Sequence, residues 1–183
     1  MSDLWIFGYG SLIWRPEFPY LEQRKARLHG WQRRFWQGSH DHRGVPERPG
    51  RVVTLVETGQ GHCDGVAYRV EPETVERTFE ALDHREKNGY ARVEVMLEFP
   101  PPAAGEQRVE HAQKAVVYIA ATDNHAFLGP APLPEMVHQI VTSSGPSGHN
   151  LDYLLELAEA LRRLEAEDAH VFALEAAARV YGP

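Results

Sequence analysis

The spacing of apolar residues favours strands in the first part of the chain. Between Leu4 and about Val70, apolar runs of strand length are separated by glycine and proline, which is typical of strands joined by tight turns. These runs read LWIFGYG, RRFWQG, RVVTLVE and GVAYRV. Two later runs, YARVEVMLEF and KAVVYIA, flank the proline-rich stretch FPPPAAGEQ, so we expect two neighbouring strands joined by an exposed loop.

Helical periodicity lies between these strands and again after Ala121. The first helix is predicted over Glu73–Glu86 and would end at the Asn88-Gly89 pair. Three further helices are predicted from PLPEMVHQIV, from NLDYLLELAEALRRL with Asn150 as its N-cap, and from DAHVFALEAAARVYG. The sequence has no internal repeat and no boundary signal, so residues 1–183 are predicted to form a single domain.

Glu86 occupies an unusual position in the first predicted helix. Val75, Phe79 and Leu82 form its apolar face, and Glu86 follows Leu82 by four residues, in the middle of that face. Two interpretations stay open: the helix frays before position 86 and leaves the carboxylate in solvent, or the helix carries the carboxylate into the core. In the second case, burial and the negative end of the helix dipole both disfavour an ionised carboxylate, which is the profile of a general base.

The composition limits the kind of partner. The 183 residues include 19 basic and 26 acidic ones, and the net charge of −7 disfavours nucleic acid and anionic membranes as partners. A small molecule or a protein remains as the expected class of partner. Cys63 is the only cysteine, which excludes an intramolecular disulfide and is compatible with a reducing compartment. The first residues lack a basic segment, and no run approaches about 20 apolar residues. The sequence therefore predicts a soluble, cytoplasmic protein.

A glycine loop follows the first predicted strand. Gly8 and Gly10 let backbone N–H groups in the stretch Gly8–Leu12 approach a ligand closely, and several such donors can bind a carboxylate or an oxyanion. The loop lacks the third glycine and the following helix of a dinucleotide fingerprint, and a strand-ending turn is the alternative. Ser11 does not fit the serine-hydrolase elbow, because Ile13 stands where that motif needs glycine.

Two other clusters have both a structural and a functional interpretation. His40 and His42 in SHDHRG would point to one side of a strand, as metal ligands do, but the spacing signals no third ligand and favours a hydrogen-bonding turn. Arg33 and Arg34 lie among aromatic residues, as in proteins that stack nucleic-acid bases. Because the net charge is −7, a half-buried strand whose arginines reach solvent is favoured.

Six stretches carry a resemblance to a known family. WIFGYGSLIW, RRFWQGSHDHRGVPERPGRVVTLVE, GVAYRV, LDHREKNGY, ATDNHAFLGPAPL and SGPSGHNLDYLLELA resemble, in this order, the ChaC-type γ-glutamylcyclotransferases, which degrade glutathione. The match covers nearly the whole chain. The resemblance implies an α+β fold of the γ-glutamylcyclotransferase type, a small and mostly antiparallel β-barrel with surrounding helices.

The resemblance also implies a reaction and a site. The α-amine of the γ-glutamyl group attacks its own side-chain carbonyl, which gives 5-oxoproline and Cys-Gly without a metal or a cofactor. Glu86 in the REK motif is then the general base. The substrate-binding residues implied are Gly8, Tyr9, Gly10, Ser11, Leu12, Ile13, Tyr118 and Arg43.

Two alternatives stay open beside a glutathione-specific enzyme. One is a cyclotransferase that acts on other γ-glutamyl amino acids or amines, and the other is a non-catalytic protein that binds a small molecule in the same pocket. Two positions depart from the family pattern, since Asp64 replaces an aromatic residue and Asn88 replaces a glycine. These departures leave the specificity for the peptide side of the substrate open.

Overall fold

Five strands form a closed β-barrel in the computed structural model, which describes residues 3–86, 89–101, 104 and 111–181. The strands are β1 (Leu4–Gly8), β2 (Glu22–Ser39), β3 (Gly50–Val70), β4 (Tyr90–Glu98) and β5 (Ala112–Ala120), in the order β1-β3-β2-β4-β5. β1 pairs antiparallel with β3 and β2 pairs antiparallel with β4, whereas β1 and β5 are parallel. The predicted, mostly antiparallel barrel is confirmed, and β4 and β5 are neighbours as expected.

Helices make up most of the remaining regular secondary structure. Those within the described residues are α1 (Val75–Arg85), α2 (Leu133–Thr142), α3 (Asn150–Arg163) and α4 (Ala169–Tyr181). Single 3₁₀ turns cover Ser11–Ile13 and Pro72–Thr74, and a two-stranded ribbon joins β6 (Ser144–Gly145) to β7 (Gly148–His149). The predicted α+β class is therefore confirmed. In the part of the chain that the structure describes, no helix is long and apolar enough to span a membrane.

β2 and β3 are longer than the apolar runs that predicted them. RVVTLVE and GVAYRV are the two ends of the single strand β3, and β2 begins well before RRFWQG. The central residues 57–61 of β3 are exposed, and Gly59 and Gly61 adopt positive φ angles of 68° and 69°. Exposed polar residues carry no alternating apolar signal, so the pairing of this segment is set by its neighbours in the sheet. Most of the predicted FPPPAAGEQ loop lies outside the described residues, as does Asn88.

Two compact units divide the chain, and neither is continuous in sequence. Unit 1 comprises Met1–Gln32 and Glu57–Ile119, and unit 2 comprises Arg33–Val56 and Ala120–Pro183. β2 and β3 each contribute one segment to both units. The single domain predicted for residues 1–183 stays a prediction.

The core of unit 1 is built on β1. Its residues pair in register with β3, from Leu4 opposite Val70 to Gly8 opposite Val66. Ile6 and Phe7 are fully buried, as expected for a strand with neighbours on both sides. Burying a large apolar side chain of this kind contributes about 1.5–3 kcal/mol to folding, so β1 is held firmly up to the point where the glycine loop begins.

Asp64, the departure from the family pattern, is buried in unit 1 with a compensating partner. The Arg27 guanidinium donates to both of its carboxylate oxygens, at 2.8 and 3.1 Å. Burial by itself would raise the pKa of Asp64, but the hydrogen bonds and the charge of Arg27 outweigh it and hold that pKa below its usual value. An aspartate in this place is therefore tolerated because Arg27 lies beside it.

Two buried polar residues organise unit 2. Arg33, which is 2% exposed, donates to Asp168 Oδ2 at 2.6 Å, and Asp168 Oδ1 accepts from the N–H of Val171 at the start of α4. The prediction of a half-buried strand whose arginines reach solvent is therefore wrong at Arg33. The ion pair and the cap share one carboxylate, which fixes the entry of α4 to the strand that carries Arg33.

The predicted N-cap at Asn150 is wrong. The N-cap of α3 is His149, and Asn150 is the first residue of the helix. The Asn150 side chain accepts from the N–H of Arg51 at 2.7 Å and donates to the C=O of Arg51 at 2.8 Å. Asn150 is fully buried, so its amide satisfies a strand residue whose polar groups would otherwise lack partners.

Acidification is expected to destabilise the fold through His170. Its Nε2 accepts the N–H of Phe35 at 2.9 Å, which requires an unprotonated nitrogen. Burial, aided by the positive charge of Arg34, lowers the pKa of His170 from 6.5 to about 4. The unfolded chain binds this proton more readily, so the stabilisation is complete above about pH 6.5 and declines as the pH falls towards 4. The loss should reach about 1–3 kcal/mol, measured by urea unfolding.

A pair of variants isolates this effect from other acidic groups. His170→Gln keeps an acceptor for Phe35 but cannot titrate, so its free energy of unfolding should fall less between pH 7 and pH 4.5 than that of the wild type. His138→Gln, at an exposed position of α2, is the control and should follow the wild type. Equal acid sensitivity of His170→Gln and the wild type would show that His170 is not responsible.

Candidate active site

The C-terminal end of α1 presents Glu86 in unit 1. The helix predicted over Glu73–Glu86 is shorter, spanning Val75–Arg85 after a 3₁₀ turn, and Leu82 anchors its apolar face with 2% exposure. Glu86 is the C-cap, and its N–H still donates to the C=O of Leu82 at 2.8 Å. Its side chain is 20% exposed. The helix does not fray before Glu86, and the carboxylate is mostly hidden while solvent still reaches it.

Arg85 joins the end of α1 to the glycine loop. Its guanidinium donates to Ser11 Oγ at 2.8 Å and to the C=O of Arg15 at 2.8 Å. Arg85 Nε also lies 3.9 Å from Oε1 of Glu86. One side chain therefore contacts the loop and lies beside the predicted base.

The loop itself is a tight turn that only glycine permits at its first position. β1 ends at Gly8, where an added Cβ would lie 2.9 Å from Cβ of Leu12. Gly10 is the N-cap of the 3₁₀ turn Ser11–Ile13, and the N–H of Ile13 donates to the C=O of Gly10 at 2.9 Å. The first amides of such a turn have no acceptor within the turn, so the geometry suits the capture of a carboxylate or an oxyanion.

Two tyrosines hold the loop to the barrel. The Tyr68 hydroxyl donates to the C=O of Leu12 at 2.6 Å, and the Tyr9 hydroxyl donates to the C=O of Tyr118 at 2.6 Å. Burial raises the pKa of Tyr68 well above its ordinary value, so its hydroxyl remains a donor at neutral pH. These bonds fix both ends of the segment that runs from Tyr9 to Leu12.

Tyr118 lies on β5 beside the end of α1. Its hydroxyl donates to Asp83 Oδ1 at 2.7 Å, and the Arg92 guanidinium lies 3.6 Å from the same oxygen. Burial is the main cause that raises the pKa of Tyr118, followed by the hydrogen bond to Asp83, and the charge of Glu86 adds to the effect. Tyr118 is therefore neutral at physiological pH and, with its proton directed to Asp83, offers lone pairs as an acceptor.

Asp83 and Arg85 are residues that the sequence analysis missed. Both lie in the last turn of α1, and Asp83 precedes Glu86 by three residues, a spacing that places side chains on one face of a helix. That spacing is the signal that could have identified Asp83. Nothing in the local pattern indicates the partner of Arg85, because Ser11 lies far away in sequence.

Arg43 belongs to unit 2, whereas the other predicted site residues lie in unit 1. Its N–H donates to Ser39 Oγ at 2.9 Å, its guanidinium donates to the C=O of His149 at 3.1 Å, and it lies over the ring of Tyr153. These contacts account for its burial. Its role in binding substrate stays a prediction.

The SHDHRG stretch forms polar contacts of its own. His42 Nδ1 lies 3.1 Å from Ser147 Oγ, and its Nε2 lies 3.9 Å from the Asp41 carboxylate. Among the described residues, no group of three or more His, Cys, Asp or Glu side chains is arranged to hold a metal ion.

Comparison with known proteins identifies the family. A family model described as ChaC-like protein matches residues 4–181. The chain is 45% identical over 175 residues to glutathione-specific gamma-glutamylcyclotransferase 1 of Homo sapiens, covering 93% of this chain and 76% of the relative. It is 43% identical over 180 residues to the protein of the same name from Danio rerio, covering 96% and 89%. The chain therefore belongs to the ChaC-like protein family, as the sequence motifs predicted.

Solved structures confirm the fold predicted by the resemblance. The crystal structure of the yeast gamma-glutamyl cyclotransferase specific to glutathione superposes with a TM-score of 0.90 at 32% identity, over 99% of this chain and 97% of the yeast chain. A more distant structure, a gamma-glutamyl cyclotransferase at 14% identity, gives a TM-score of 0.55 over 96% of this chain and 88% of that chain, and shows a shared fold alone.

Proposed function

We propose that this protein is a glutathione-specific γ-glutamylcyclotransferase. Its relatives in human and zebrafish carry that name, and its alignments with them cover nearly all of this chain. The observation that supports the proposal most is the arrangement around Arg85, whose side chain lies beside the Glu86 carboxylate and contacts the glycine loop. A base and an anion-binding loop next to each other are the two parts that the cyclisation requires.

The reaction converts one amide into another within the substrate. The α-nitrogen of the γ-glutamyl group forms a bond to the γ-carbonyl carbon, and a tetrahedral intermediate with a negatively charged oxygen results. Its collapse breaks the bond to the cysteine nitrogen and releases 5-oxoproline and Cys-Gly. Because the two reacting groups belong to one molecule, correct folding of the substrate can supply up to about 7–11 kcal/mol of the barrier reduction.

Glu86 handles the protons in this scheme. The α-nitrogen attacks as the neutral amine and loses one proton to the Glu86 carboxylate as its bond to carbon forms, so that it becomes the single N–H of the lactam. The same proton then passes to the departing cysteine nitrogen, so the base is regenerated in each cycle. A carboxylate that is mostly hidden but still 20% exposed suits this role, since a substrate bound at the surface can reach it.

The loop and Tyr118 bind and orient the substrate beside Glu86. Backbone N–H groups of Gly10 to Leu12 hold either the α-carboxylate or the oxyanion, and loss of one oxyanion donor would raise the barrier by roughly 3 kcal/mol. The Tyr118 oxygen accepts a hydrogen bond from the substrate amine and helps to orient it towards Glu86. Arg43 is retained as a proposed substrate-binding residue.

The setting of the enzyme is part of the proposal. The net charge of −7 supports a free small molecule as substrate, in preference to nucleic acid or a membrane surface. One buried free cysteine is compatible with the reducing cytoplasm. We expect residues 1–183 to act as one catalytic domain, because unit 1 and unit 2 share β2 and β3.

Two substrates distinguish the proposal from its alternatives. Purified protein is incubated with glutathione and, separately, with γ-glutamyl-alanine, and 5-oxoproline is measured. Production from glutathione alone supports the glutathione-specific enzyme. Faster production from γ-glutamyl-alanine would indicate a cyclotransferase of other specificity. No product from either compound would favour the non-catalytic binding protein.

A further inference from the structure

Arg85 binds one acceptor in the glycine loop and two in the residues that follow it. Its guanidinium donates to Ser11 Oγ, to the C=O of Arg15 and to Glu17 Oε2, the last at 3.2 Å. The side chain is 20% exposed, so these bonds form in a partly desolvated place. A planar guanidinium with several fixed donors can hold three acceptors at once, which an ammonium group cannot do in the same geometry.

The acceptors lie at the first residue of the 3₁₀ turn and just after the turn. Ser11 begins the turn, and its carbonyl accepts the N–H groups of Trp14 and Arg15 at 3.2 and 2.7 Å. Arg85 thus binds the hydroxyl of Ser11 and the carbonyl of Arg15, and so spans the folded segment from 11 to 15. The Ser11 hydroxyl oxygen is the acceptor of the bond from Arg85, so its own proton does not point at the guanidinium.

The same residue adjoins Glu86 on the chain. Glu86 is the C-cap and follows Arg85, the last residue of α1. Asp83, one position beyond Leu82, accepts a hydrogen bond from the Tyr118 hydroxyl of β5. The last turn of α1 is therefore fixed at two points, by Asp83 to β5 and by Arg85 to the loop.

We propose that Arg85 is a positioning residue that holds the loop segment 11–15 at a fixed distance from the Glu86 carboxylate. The inference rests on the proposed function, because the two parts need alignment only if both act on one substrate. Arg85 itself transfers no proton. Misplacement of a reacting group by about 1 Å can cost about a hundredfold in rate, so losing the three bonds should lower kcat/KM by roughly 10- to 100-fold.

Three variants test this role. Arg85→Met removes the donors while keeping much of the side-chain bulk, Arg85→Lys keeps the charge, and Arg77→Met changes an exposed arginine on the same helix as a control. Two quantities are measured for each: kcat and KM with glutathione, and amide hydrogen exchange of the peptides covering residues 11–15. Exchange reports loop order directly, because the amides of Ile13, Trp14 and Arg15 are hydrogen-bonded within the turn.

The expected pattern has both readouts changing together. Arg85→Met should lose roughly 10- to 100-fold in kcat/KM and exchange faster at residues 11–15. Arg85→Lys should recover part of both, and Arg77→Met should match the wild type. If Arg85 only stabilised the fold, Arg85→Met would lower the unfolding temperature but leave kcat and KM of the folded molecules unchanged. That result would overturn the inference.

A double-mutant cycle with Ser11→Ala locates the effect in the hydrogen bond to Ser11 Oγ. If Arg85 acts partly through that oxygen, Ser11→Ala should cost less in the Arg85→Met background than in the wild type. Full additivity would exclude the Ser11 contact as the means of positioning.

The design separates failure of this inference from failure of the proposed function. If the wild type forms no 5-oxoproline, the proposed function fails, and unchanged exchange at residues 11–15 in Arg85→Met would then overturn the positioning role as well. If the wild type is active and Arg85→Met equals it in kcat, KM and exchange, only the positioning role fails. Should Arg85→Met not fold, Arg85→Lys decides, since wild-type behaviour in both readouts would contradict the inference.

Discussion

Glu86→Gln is expected to lower kcat by roughly a hundredfold to ten-thousandfold while KM for glutathione changes little. The amide has nearly the shape of the carboxylate and can still donate and accept hydrogen bonds, but it cannot take a proton from the α-amine. An interaction made only during proton transfer is lost, so the effect falls on kcat. Initial-rate kinetics with 5-oxoproline as the measured product provide the test.

Glu80→Gln is the matched control for this variant. Glu80 lies on the same helix, is exposed, and should give wild-type kinetics. A Glu86→Gln enzyme with normal kcat would refute the assignment of the base. A normal kcat with a raised KM would instead assign Glu86 to substrate binding.

Glutathione acetylated on its α-nitrogen is expected to give no detectable product. Acylation delocalises the nitrogen lone pair, so the nitrogen is no longer basic or nucleophilic. The remaining N–H is too weakly acidic for a carboxylate to remove its proton. The compound should still compete with glutathione if the pocket tolerates the acetyl group, and a competition assay separates a bound but unreactive analogue from an excluded one. Cleavage of the acetylated compound would show that the α-amine is not the nucleophile.

The alternation of apolar and polar residues predicts much of the barrel but not the full extent of its strands. β1, β4 and β5 follow their apolar runs closely because each has a buried face. The exposed middle of β3 has no such face, so its strand conformation depends on partners that a single sequence does not reveal. Asn150 shows the same limit, since its preference for an N-cap yields to a buried backbone that needs both a donor and an acceptor.

The candidate site could be predicted where local spacing carried the information. The period of α1 directs attention to Glu86, and glycines after an apolar run predict the loop. Arg85 could not be assigned in the same way, because its acceptor Ser11 is brought to it by the fold. The candidate base is marked by its unusual place in a pattern, whereas the contact of Arg85 joins parts of the chain that are distant in sequence.

The identity of the products formed from glutathione tests the central claim most directly. Purified protein is incubated with glutathione, and the earliest products are identified by mass spectrometry before any secondary reaction proceeds. Intramolecular attack by the α-amine predicts 5-oxoproline and Cys-Gly in equal amounts, with no free glutamate. Free glutamate formed directly alongside Cys-Gly would mean that water is the nucleophile, and would contradict the cyclotransferase mechanism.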